Sequence, residues 1–394
     1  MASRTTLYPD PFPYADYRRY TYAMGIATGD LIWVAGHLAD QYDPEIGRMV
    51  CRGDLADQTR LALEKVRLVL ESAEAGFGDI VHQVDYITPS AVEAYSGTLE
   101  LRRELFGHDL PATTTVVANR LLRNECLIEV EVVAVRGPSS KRSFSATSSP
   151  GEGIPAPSAV AKGGVLFITA SAPEGVGKGD VAAQAQAIYD TIGSVLQEAG
   201  AVPSDIVRTI DYIAPAGLAD FRETARVRKA FFGEEFPTST GIIVEGLLGC
   251  EALLEVSAIA VTGEGERSAY NPGWPWYDQV TFRPGVGKGD VLFLSGLTGA
   301  DPISRSVVSD DLAGQTRHVY QQAETILAEA GLSMKNVVKT VDYIVPRALP
   351  DYRDTVAVRR EFFGDDFPVS TGVIINRLLR PEYLIEIDFT AVDD

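Results

Sequence analysis

Short apolar runs alternate with amphipathic stretches along this chain, and the same pattern of hydrophobic and polar positions occurs three times. Each copy opens with a run rich in β-branched or aromatic residues, which predicts a strand: LIWVAG at 31–36, VLFITA at 165–170 and VLFLSG at 291–296. In the residues that follow, apolar positions recur every three or four residues, for example over 62–73. This spacing predicts a helix with one buried face.

A second motif defines the repeat. It reads VDYITP at 84–89, IDYIAP at 210–215 and VDYIVP at 341–346, at offsets of 126 and 131 residues. The same offsets align three Phe-Gly pairs and three glutamines near the start of the first helix. The chain is therefore a tandem triplicate. We divide it into unit 1 (1–137), unit 2 (138–263) and unit 3 (264–394).

Each unit is predicted to read β-β-α-β-α-β-β. In unit 1 a leading strand near 20–24 precedes the first apolar run and its helix. The DYI strand, a second helix ending at the Phe-Gly pair and two closing strands, at 113–119 and 126–135, complete the unit. This order predicts an α+β fold with helices on one face of each sheet. Packing the other faces around a pseudo-threefold axis buries all three, so we expect a monomeric pseudo-trimer, alone or further oligomerised.

Charge narrows the range of partners. The 394 residues include 54 acidic and 35 basic ones, for a net charge of −19 and no Lys/Arg run, which argues against nucleic acid as a partner. No stretch reaches the roughly 20 apolar residues of a membrane span, and the opening residues lack the apolar core of a signal peptide. We therefore expect a cytoplasmic protein with no membrane partner and a small-molecule substrate.

The cysteines and histidines suggest neither a disulfide nor a metal. Cys51, Cys126 and Cys250 make an odd number and none forms a CxxC, so neither a disulfide framework nor a zinc site is predicted. The four histidines form no HxxxH or HExxH motif. We expect no metal and no other cofactor.

Several motifs together resemble one known family. They are the strand ending in Ala35-Gly36 or Ser295-Gly296, the helix with its early glutamine, the FFG-x-x-FP segment at 362–368, and the last strand, IEVEVVAV or IEIDFTAV. In these motifs the chain resembles the RidA/YjgF family of reactive-intermediate deaminases. Members of this family act on enamines and imines. The resemblance extends over nearly the whole chain. The resemblance implies a chorismate-mutase-like fold in which three units form active sites in the clefts between them.

The resemblance also implies a substrate-binding arginine shortly before the last strand. The matching residues are Arg120 in unit 1 and Arg377 in unit 3, whereas unit 2 has Gly246 there. The segment is about one residue longer than in simple family members, so Arg123 and Arg380 are alternatives. Arg120 and Arg377 are favoured because they follow the strand directly. A guanidinium holds a carboxylate through two parallel charge-assisted hydrogen bonds.

Further site residues follow from the same resemblance. Its acidic residue in the last strand corresponds to Glu131 in unit 1 and Asp388 in unit 3, with Ser257 in unit 2. Together with Arg120 and Arg377 these are the expected catalytic residues. The expected substrate contacts are Gly36, His37, Asn119, Ser295, Gly296 and Asn376. Unit 2 is the degenerate copy because it lacks both the arginine and the acid.

Residues that persist in unit 2 are interpreted as structural. These are the aspartates Asp85, Asp211 and Asp342, the glutamates Glu129, Glu255 and Glu386, and the arginines Arg102, Arg228 and Arg359. The arginines lie on the apolar stripe of the second helix, so each guanidinium is expected to reach a paired acid at a unit interface.

Three functions remain open at this point. The first is hydrolytic deamination, or related water or proton chemistry, of a small carboxylate-bearing imine or enamine in a specialised metabolic pathway. The second is a chorismatase-like or isomerase-type reaction on a cyclic carboxylate. The third is a non-catalytic ligand-binding or scaffold role.

Overall fold

The computed structural model describes residues 4–145, 156–249 and 251–393 and folds them into three six-stranded sheets and a small hairpin. Cys250 and residues 146–155 of the Ser/Pro/Gly-rich segment between units 1 and 2 lie outside the described residues. The sheets follow the three units, with the first built from strands between 4 and 135, the second between 142 and 261, and the third between 267 and 392.

Unit 1 has eight strands and three α-helices. They are β1 (Arg4–Leu7), β2 (Gly25–Thr28), β3 (Leu31–Leu38), β4 (Asp40–Asp43), β5 (Arg48–Cys51), α1 (Leu55–Glu71), β6 (Ile80–Ile87), α2 (Val92–Tyr95), α3 (Leu99–Phe106), β7 (Ala112–Val117) and β8 (Ile128–Val135). The sheet order is β1-β2-β3-β8-β6-β7, and only β6 and β7 run parallel. Strands β4 and β5 form the separate hairpin.

Units 2 and 3 repeat this plan without the hairpin strands. Unit 2 contains β9 (Arg142–Phe144), β10 (Ala159–Lys162), β11 (Val165–Ser171), α4 (Val181–Ala199), β12 (Ile206–Ile213), α5 (Thr224–Phe232), β13 (Thr238–Ile243) and β14 (Leu254–Val261). Unit 3 contains β15 (Arg267–Tyr270), β16 (Gly285–Lys288), β17 (Val291–Thr298), α6 (Leu312–Glu329), β18 (Val337–Ile344), α7 (Thr355–Phe363), β19 (Val369–Ile374) and β20 (Ile385–Val392). Their sheet orders are β9-β10-β11-β14-β12-β13 and β15-β16-β17-β20-β18-β19.

The predicted α+β units are confirmed, with two corrections at their leading edge. The strand expected near 20–24 begins instead at Gly25, because the Ala23 amide leaves the sheet and donates to the Pro368 carbonyl of unit 3 at 2.9 Å. Each sheet also has an outermost strand, β1, β9 or β15, that was not predicted. These strands have only three or four residues, too few to show a periodic pattern.

Successive side chains along each strand alternate between the two faces of the sheet, and both faces are buried. In β8, Ile128, Val130, Val132 and Ala134 pack against the buried face of α1. Val133, one position out of phase, packs with residues of the other two sheets around the axis. Because successive side chains of a strand point to opposite faces, each sheet buries one face under its helices and the other against its two neighbours.

Backbone hydrogen bonds close the three units into a ring. The Asn119 amide of unit 1 donates to Ile374 of unit 3 at 2.9 Å, and the Asn376 amide of unit 3 donates to Ile243 of unit 2 at 3.0 Å. The Glu245 amide of unit 2 completes the cycle by donating to Val117 of unit 1 at 2.9 Å. The expected pseudo-trimer within one chain is therefore present.

The cysteine prediction is wrong for one pair. Cys51, at the end of β5, and Cys126, just before β8, form a disulfide with a Cα–Cα distance of 5.4 Å across 75 residues of sequence. The β4–β5 hairpin, which only unit 1 possesses among the described residues, brings Cys51 to this position. Residue spacing could not show the pair because the contact is tertiary.

Candidate active site

Each unit interface contains a buried or partly buried glutamate from the second position of a closing strand. We name the three interfaces after it: the Glu129 cleft between units 1 and 3, the Glu386 cleft between units 3 and 2, and the Glu255 cleft between units 2 and 1. In the Glu129 cleft, β3 packs on β19, and the Gly36 amide donates to the Thr371 hydroxyl at 3.0 Å. The contact therefore crosses between the first and third units.

The Glu129 cleft encloses a cavity of about 440 Å³, within the range of small-molecule sites. Both units contribute to its walls. From unit 1 they include Phe12, Arg19, Tyr20, Tyr22, Gly36, His37, Asp40, Lys65, Arg123 and Glu129, and from unit 3 Tyr352, Arg353, Arg359, Arg360, Ser370 and Gly372. A ligand in this cavity would contact two units at once.

A β-bulge brings Gly36 to the cavity. The pairing of β3 with β8 shifts between Val34 and His37. Two residues of β3, Ala35 and Gly36, therefore lie opposite one residue of β8. A Cβ atom on Gly36 would lie 2.3 Å from Oε1 of Glu129 and 2.6 Å from a methyl carbon of Thr371. Glycine is thus the residue that lets the Glu129 carboxyl group approach the strand.

Glu129 is held as a neutral acid. Its side chain is 3% exposed, and Oε2 has no hydrogen-bond partner in the described part of the chain. Burial raises the pKa of Glu129 to about 8, and the charges of Glu131 and Asp40 add to this effect. At neutral pH the carboxyl group is therefore mostly protonated and can donate a proton.

The cavity wall is electropositive although the chain is strongly acidic. Its lining residues include six cationic side chains, against the acids Asp40 and Glu129. Asp40 pairs with both Lys65, at 2.9 Å, and the Nε atom of Arg123. The two terminal nitrogens of Arg123 have no protein partner within 4–145, 156–249 and 251–393, and its side chain is 38% exposed. Arg123 can therefore receive an anion.

Two tyrosines add hydroxyl groups to opposite walls. Tyr22 stacks on Tyr20 with ring centroids 5.1 Å apart, and burial holds the pKa of Tyr22 well above its usual range. On the unit 3 side, the Tyr352 hydroxyl donates to Asp342 at 2.8 Å. Tyr22 therefore stays protonated and adds a hydrogen-bond donor to the cavity that Glu129 also lines.

The predicted pairing of the second-helix arginines is confirmed. The pairs are Arg102–Asp85 at 2.8 Å, Arg228–Asp211 at 3.5 Å, and Arg359–Asp342. Each acid belongs to the same unit as its arginine. Arg228 also donates to the Thr281 carbonyl of unit 3 at 3.2 Å. Arg359 donates to the Thr21 carbonyl of unit 1 at 3.5 Å. Arg228 and Arg359 thus join neighbouring units. Arg359 in addition lines the cavity.

Arg120 and Arg377 lie at the axis and do not line the described cavity. Each arginine follows a strand into the loops that meet there. The backbone of Arg120 forms an antiparallel β-bridge with Ile374, and that of Arg377 forms one with Ile243. Beside them, the Asn119 and Asn376 amides donate to Oε2 of Glu245 at 2.9 and 3.0 Å. Of the two alternatives in unit 1, the structure brings Arg123 into the cavity.

Glu131 and Asp388 form ion pairs across the interfaces. Glu131 pairs with Lys339 of unit 3 and also accepts a hydrogen bond from Thr371. Asp388 pairs with Arg208 of unit 2 at 2.9 Å. Their carboxylates are buried and already paired, whereas the cavity receives Glu129 instead.

Glu129 could have been found from strand alternation. Glu129 and Glu131 are two residues apart and point to the same face of β8, so alternation admits both as site residues. Its presence in all three units was interpreted as a mark of architecture. The alternative interpretation, that every cleft retains an acid, was equally available from the sequence.

The Glu386 cleft repeats the central geometry. The pairing of β17 shifts between Leu294 and Leu297, and a Cβ atom on Gly296 would lie 2.0 Å from Oε1 of Glu386. Burial raises the pKa of Glu386 to about 8. The neighbouring Ser295 hydroxyl is occupied, because it accepts from the Ser239 amide at 2.9 Å and donates to the Arg283 carbonyl at 2.6 Å.

The Glu255 cleft differs. Strand β11 pairs with β14 without a register shift, and Thr169, opposite Ser257, stands where unit 1 has the Ala35–Gly36 bulge opposite Glu131. Across the interface, Thr115 stands where the other clefts have Gly372 and Gly241. Glu255 accepts a hydrogen bond from Thr169 at 3.3 Å, and burial raises its pKa to about 7.

The fold and the site define a triplicated member of a known family. The family model described as endoribonuclease L-PSP matches residues 15–136, 156–262 and 278–393. The chain therefore belongs to this family, also known as YjgF/RidA, and contains three copies of its unit. The resemblance expected from the sequence motifs is confirmed.

Curated relatives each match about one unit. A RutC family protein of Pyrococcus abyssi is 33% identical over 115 residues, which are 29% of this chain and 86% of the relative. The 3-aminoacrylate deaminase RutC of Acinetobacter baylyi is 34% identical over 108 residues, 27% of this chain and 83% of the relative. Family membership is consistent with enamine or imine deamination.

Solved structures give the same one-unit coverage. A YjgF/YER057c/UK114 family member from Mycobacterium tuberculosis is 27% identical, with a TM-score of 0.29, over 32% of this chain and all of that one. Escherichia coli TdcF, solved with bound serine, is 23% identical with a TM-score of 0.29 over 34% of this chain and 99% of that one.

The described residues offer neither a membrane-spanning helix nor a metal-binding cluster. No helix among them is both long and apolar enough to cross a bilayer. No group of three or more His, Cys, Asp or Glu side chains there is arranged to hold a metal ion.

Proposed function

We propose that the Glu129 cleft hydrolyses a small 2-imino or 2-enamino acid to a 2-oxo acid and ammonia. The observation that carries this proposal is a protonated carboxyl group, Glu129, held against Gly36 in a cavity with cationic walls. An anionic substrate and an acid that gives up a proton at neutral pH are what this reaction requires.

Arg123 is the proposed carboxylate anchor. Its Nε atom is bound to Asp40, which orients the guanidinium and leaves the two terminal nitrogens free for a bidentate contact. This arrangement speaks against a purely scaffolding role, in which the arginine would be committed to protein partners. Lys65, on the other side of Asp40, keeps the local charge positive.

The reaction needs only proton transfer and positioned water. An enamine first tautomerises to the imine: its β-carbon takes a proton and its nitrogen loses one. Glu129 then donates its proton to the imine nitrogen while water adds to the C=N carbon and gives one proton back to Glu129, leaving a neutral carbinolamine. Transfer of the remaining hydroxyl proton to the nitrogen through Glu129 forms the C=O bond as the C–N bond breaks and ammonia leaves. Glu129 regains a proton, so atoms and charge balance, and no external oxidant or reductant is required.

The relatives support this chemistry as a proposal for the present chain. The A. baylyi relative carries the name 3-aminoacrylate deaminase, and 3-aminoacrylate is an enamine with a carboxylate. The match extends over a single unit, whereas the proposed site lies between two units of one chain.

The test is ammonia release from an imine produced in place by an amino-acid oxidase. We expect the protein to accelerate release above the spontaneous rate, and Glu129→Gln to remove the acceleration. Glu245→Gln, at the axis, is the matched control and should retain it. A wild-type protein without acceleration, or an undiminished Glu129→Gln variant, contradicts the proposal.

The same assay separates the two arginines of unit 1. We expect Arg123→Ala to raise KM strongly and Arg120→Ala to change it little, because only Arg123 lines the cavity. The reverse result would return the anchor to Arg120.

A further inference from the structure

The Glu386 cleft has the same glycine and glutamate as the Glu129 cleft but a different wall. Polar side chains of the Glu129 cleft are replaced at the matching positions of the other cleft. The replacements are Phe282 for Tyr22, Phe221 for Tyr352 and Gln322 for Lys65. The second wall is therefore less polar at these positions and keeps its aromatic rings.

There is also more room beside this wall. A Cβ atom on Gly241 would have Leu379 and Phe221 as its nearest neighbours, both 3.8 Å away. The matching Gly372 of the Glu129 cleft is tighter, with the Tyr352 hydroxyl at 3.0 Å from such an atom. Leu379 is 44% exposed although it is apolar. An apolar group can thus approach the second cleft where a tyrosine hydroxyl occupies the first.

The segment leading into unit 3 supplies further aromatic rings. Trp276 is partly exposed and packs edge-on against Phe282, with ring centroids 5.4 Å apart. Tyr277 is buried beside it at 4.9 Å. The segment is anchored by Asn271, whose side chain accepts from the Trp274 amide at 2.9 Å. The rings are therefore fixed in place.

A cation lies over these rings without an acidic partner. The Arg305 guanidinium carbon is 3.7 Å from the centre of the Trp276 ring. Its side chain forms no ion pair or hydrogen bond with the part of the chain that the structure describes. It therefore remains available to an anionic ligand.

Arg305 and Glu386 both act on Tyr277, whose ring lies 4.9 Å from the Trp276 ring that the Arg305 guanidinium covers. Burial raises the pKa of Tyr277, the charge of Arg305 opposes this rise, and that of Glu386 adds to it. Glu386 is only 5% exposed, and its carboxyl group has no hydrogen bond to any described residue. A cation for a carboxylate, an acid and an aromatic wall are thus combined in one cleft.

We propose that the Glu386 cleft is a second site, selective for 2-imino acids with an aromatic side chain and for the matching 2-oxo acids. The substrate carboxylate binds Arg305, and the ring packs among Trp276, Phe282 and Phe221. The imine nitrogen faces Glu386. The hydrolysis rests on the function proposed for the Glu129 cleft, with the same balance of atoms, whereas binding does not depend on it.

The test is calorimetric titration of the full chain with phenylpyruvate and with 2-oxobutanoate. We expect Gly296→Ala to abolish phenylpyruvate binding, because the added carbon would occupy the approach to Glu386. Gly36→Ala is the matched control and should leave phenylpyruvate binding intact while it reduces 2-oxobutanoate binding.

A second substitution, at a more exposed residue, tests the site in case Gly296→Ala fails to fold. Arg305→Gln lies on a partly exposed loop and should weaken phenylpyruvate binding roughly tenfold to a hundredfold, as expected for lost hydrogen bonds to a charged group. No phenylpyruvate binding to wild-type protein overturns the inference. So does binding that survives both Gly296→Ala and Arg305→Gln.

The outcome is distinguishable from that of the proposed hydrolysis. Phenylpyruvate binding that depends on Gly296 and Arg305 supports the second site even if no imine is hydrolysed. Ammonia release that depends on Glu129, without phenylpyruvate binding, overturns the second site and leaves the proposed function in place.

Discussion

The Glu129 and Glu255 clefts occupy equivalent places around the axis, yet glycines line one, here called the open cleft, and larger side chains line the other, here called the filled cleft. Two glycines flank the open cleft, Gly36 from β3 and Gly372 from β19. Thr169 and Thr115 take their places in the filled one. Both sides of that interface changed together although they belong to different units. The comparison teaches that a cleft, not a unit, is the element that degenerates.

The buried charges follow the same division. Two interfaces contain an ion pair between an acid and a basic residue, Glu131 with Lys339 and Asp388 with Arg208. The third has Ser257 and His82 at the matching positions. Burial lowers the pKa of His82 to about 3, so this imidazole is neutral. Acid and cation were lost together, as the cost of an unpaired buried charge demands.

The largest expected loss of stability comes from a substitution that breaks one of these ion pairs. Lys339→Met should lower the free energy of unfolding by about 3–5 kcal/mol, because it leaves Glu131 buried without a cation. His82→Leu, at the matching position of the neutral interface, removes only a hydrogen-bond contact of 3.5 Å to Thr114 and should cost about 0.5–1.5 kcal/mol. Denaturant unfolding at neutral pH measures both. Equal losses would contradict the comparison.

The next effect concerns the open cleft. Gly36→Ala should lower kcat/KM for imine hydrolysis about a hundredfold, or about 2.7 kcal/mol, because its Cβ atom would fall 2.3 Å from Oε1 of Glu129. Thr169→Ala shortens the side chain at the equivalent place in the filled cleft and should change the rate little. Thermal unfolding of both variants confirms that they are folded. A rate preserved in Gly36→Ala would show that the bulge does not serve catalysis.

The buried glutamate predicts a pH dependence of both rate and stability. The pKa of Glu129 is raised from its ordinary 4.5 to about 8, so its stabilising effect is complete below about pH 4.5. This contribution is lost as the pH rises towards about 8, and the rate falls above that pH because the proton is absent. Glu129→Gln should therefore gain stability relative to wild type as the pH increases over this range. Denaturant unfolding at several pH values checks this, and a constant difference would contradict it.

The sequence predicts the elements of this protein better than the contents of its clefts. Repetition of the DYI motif and the 3.6-residue period of α1 are local and survive in all three units. The identity of the site acid is not local. Glu129 and Glu131 share a strand face, and only the neighbouring unit decides between them, by placing Lys339 against Glu131 and a cavity beside Glu129.

The placement of Arg123 in the cavity and the disulfide both depend on the same local element. Arg120 and Arg123 lie three residues apart in one loop, and the placement of Arg123 depends on Asp40, at the start of the β4–β5 hairpin. That hairpin also brings Cys51 to Cys126. Among the described residues this two-stranded hairpin occurs in unit 1, and contacts made through it could not be inferred from what the copies share.

The smallest expected effect compares two aligned arginines. In Arg123→Lys the positive charge near Asp40 is kept while the planar fork is lost, so we expect KM for a small 2-imino acid to rise about tenfold, or about 1.4 kcal/mol, with kcat nearly unchanged. In unit 3, Arg380 already donates to the Arg305 carbonyl at 2.7 Å and pairs with Glu382. Arg380→Lys should therefore leave this KM unchanged. Steady-state kinetics of both variants provide the measurement, and a loss confined to kcat in Arg123→Lys would show that Arg123 acts on the reaction step and not on carboxylate binding.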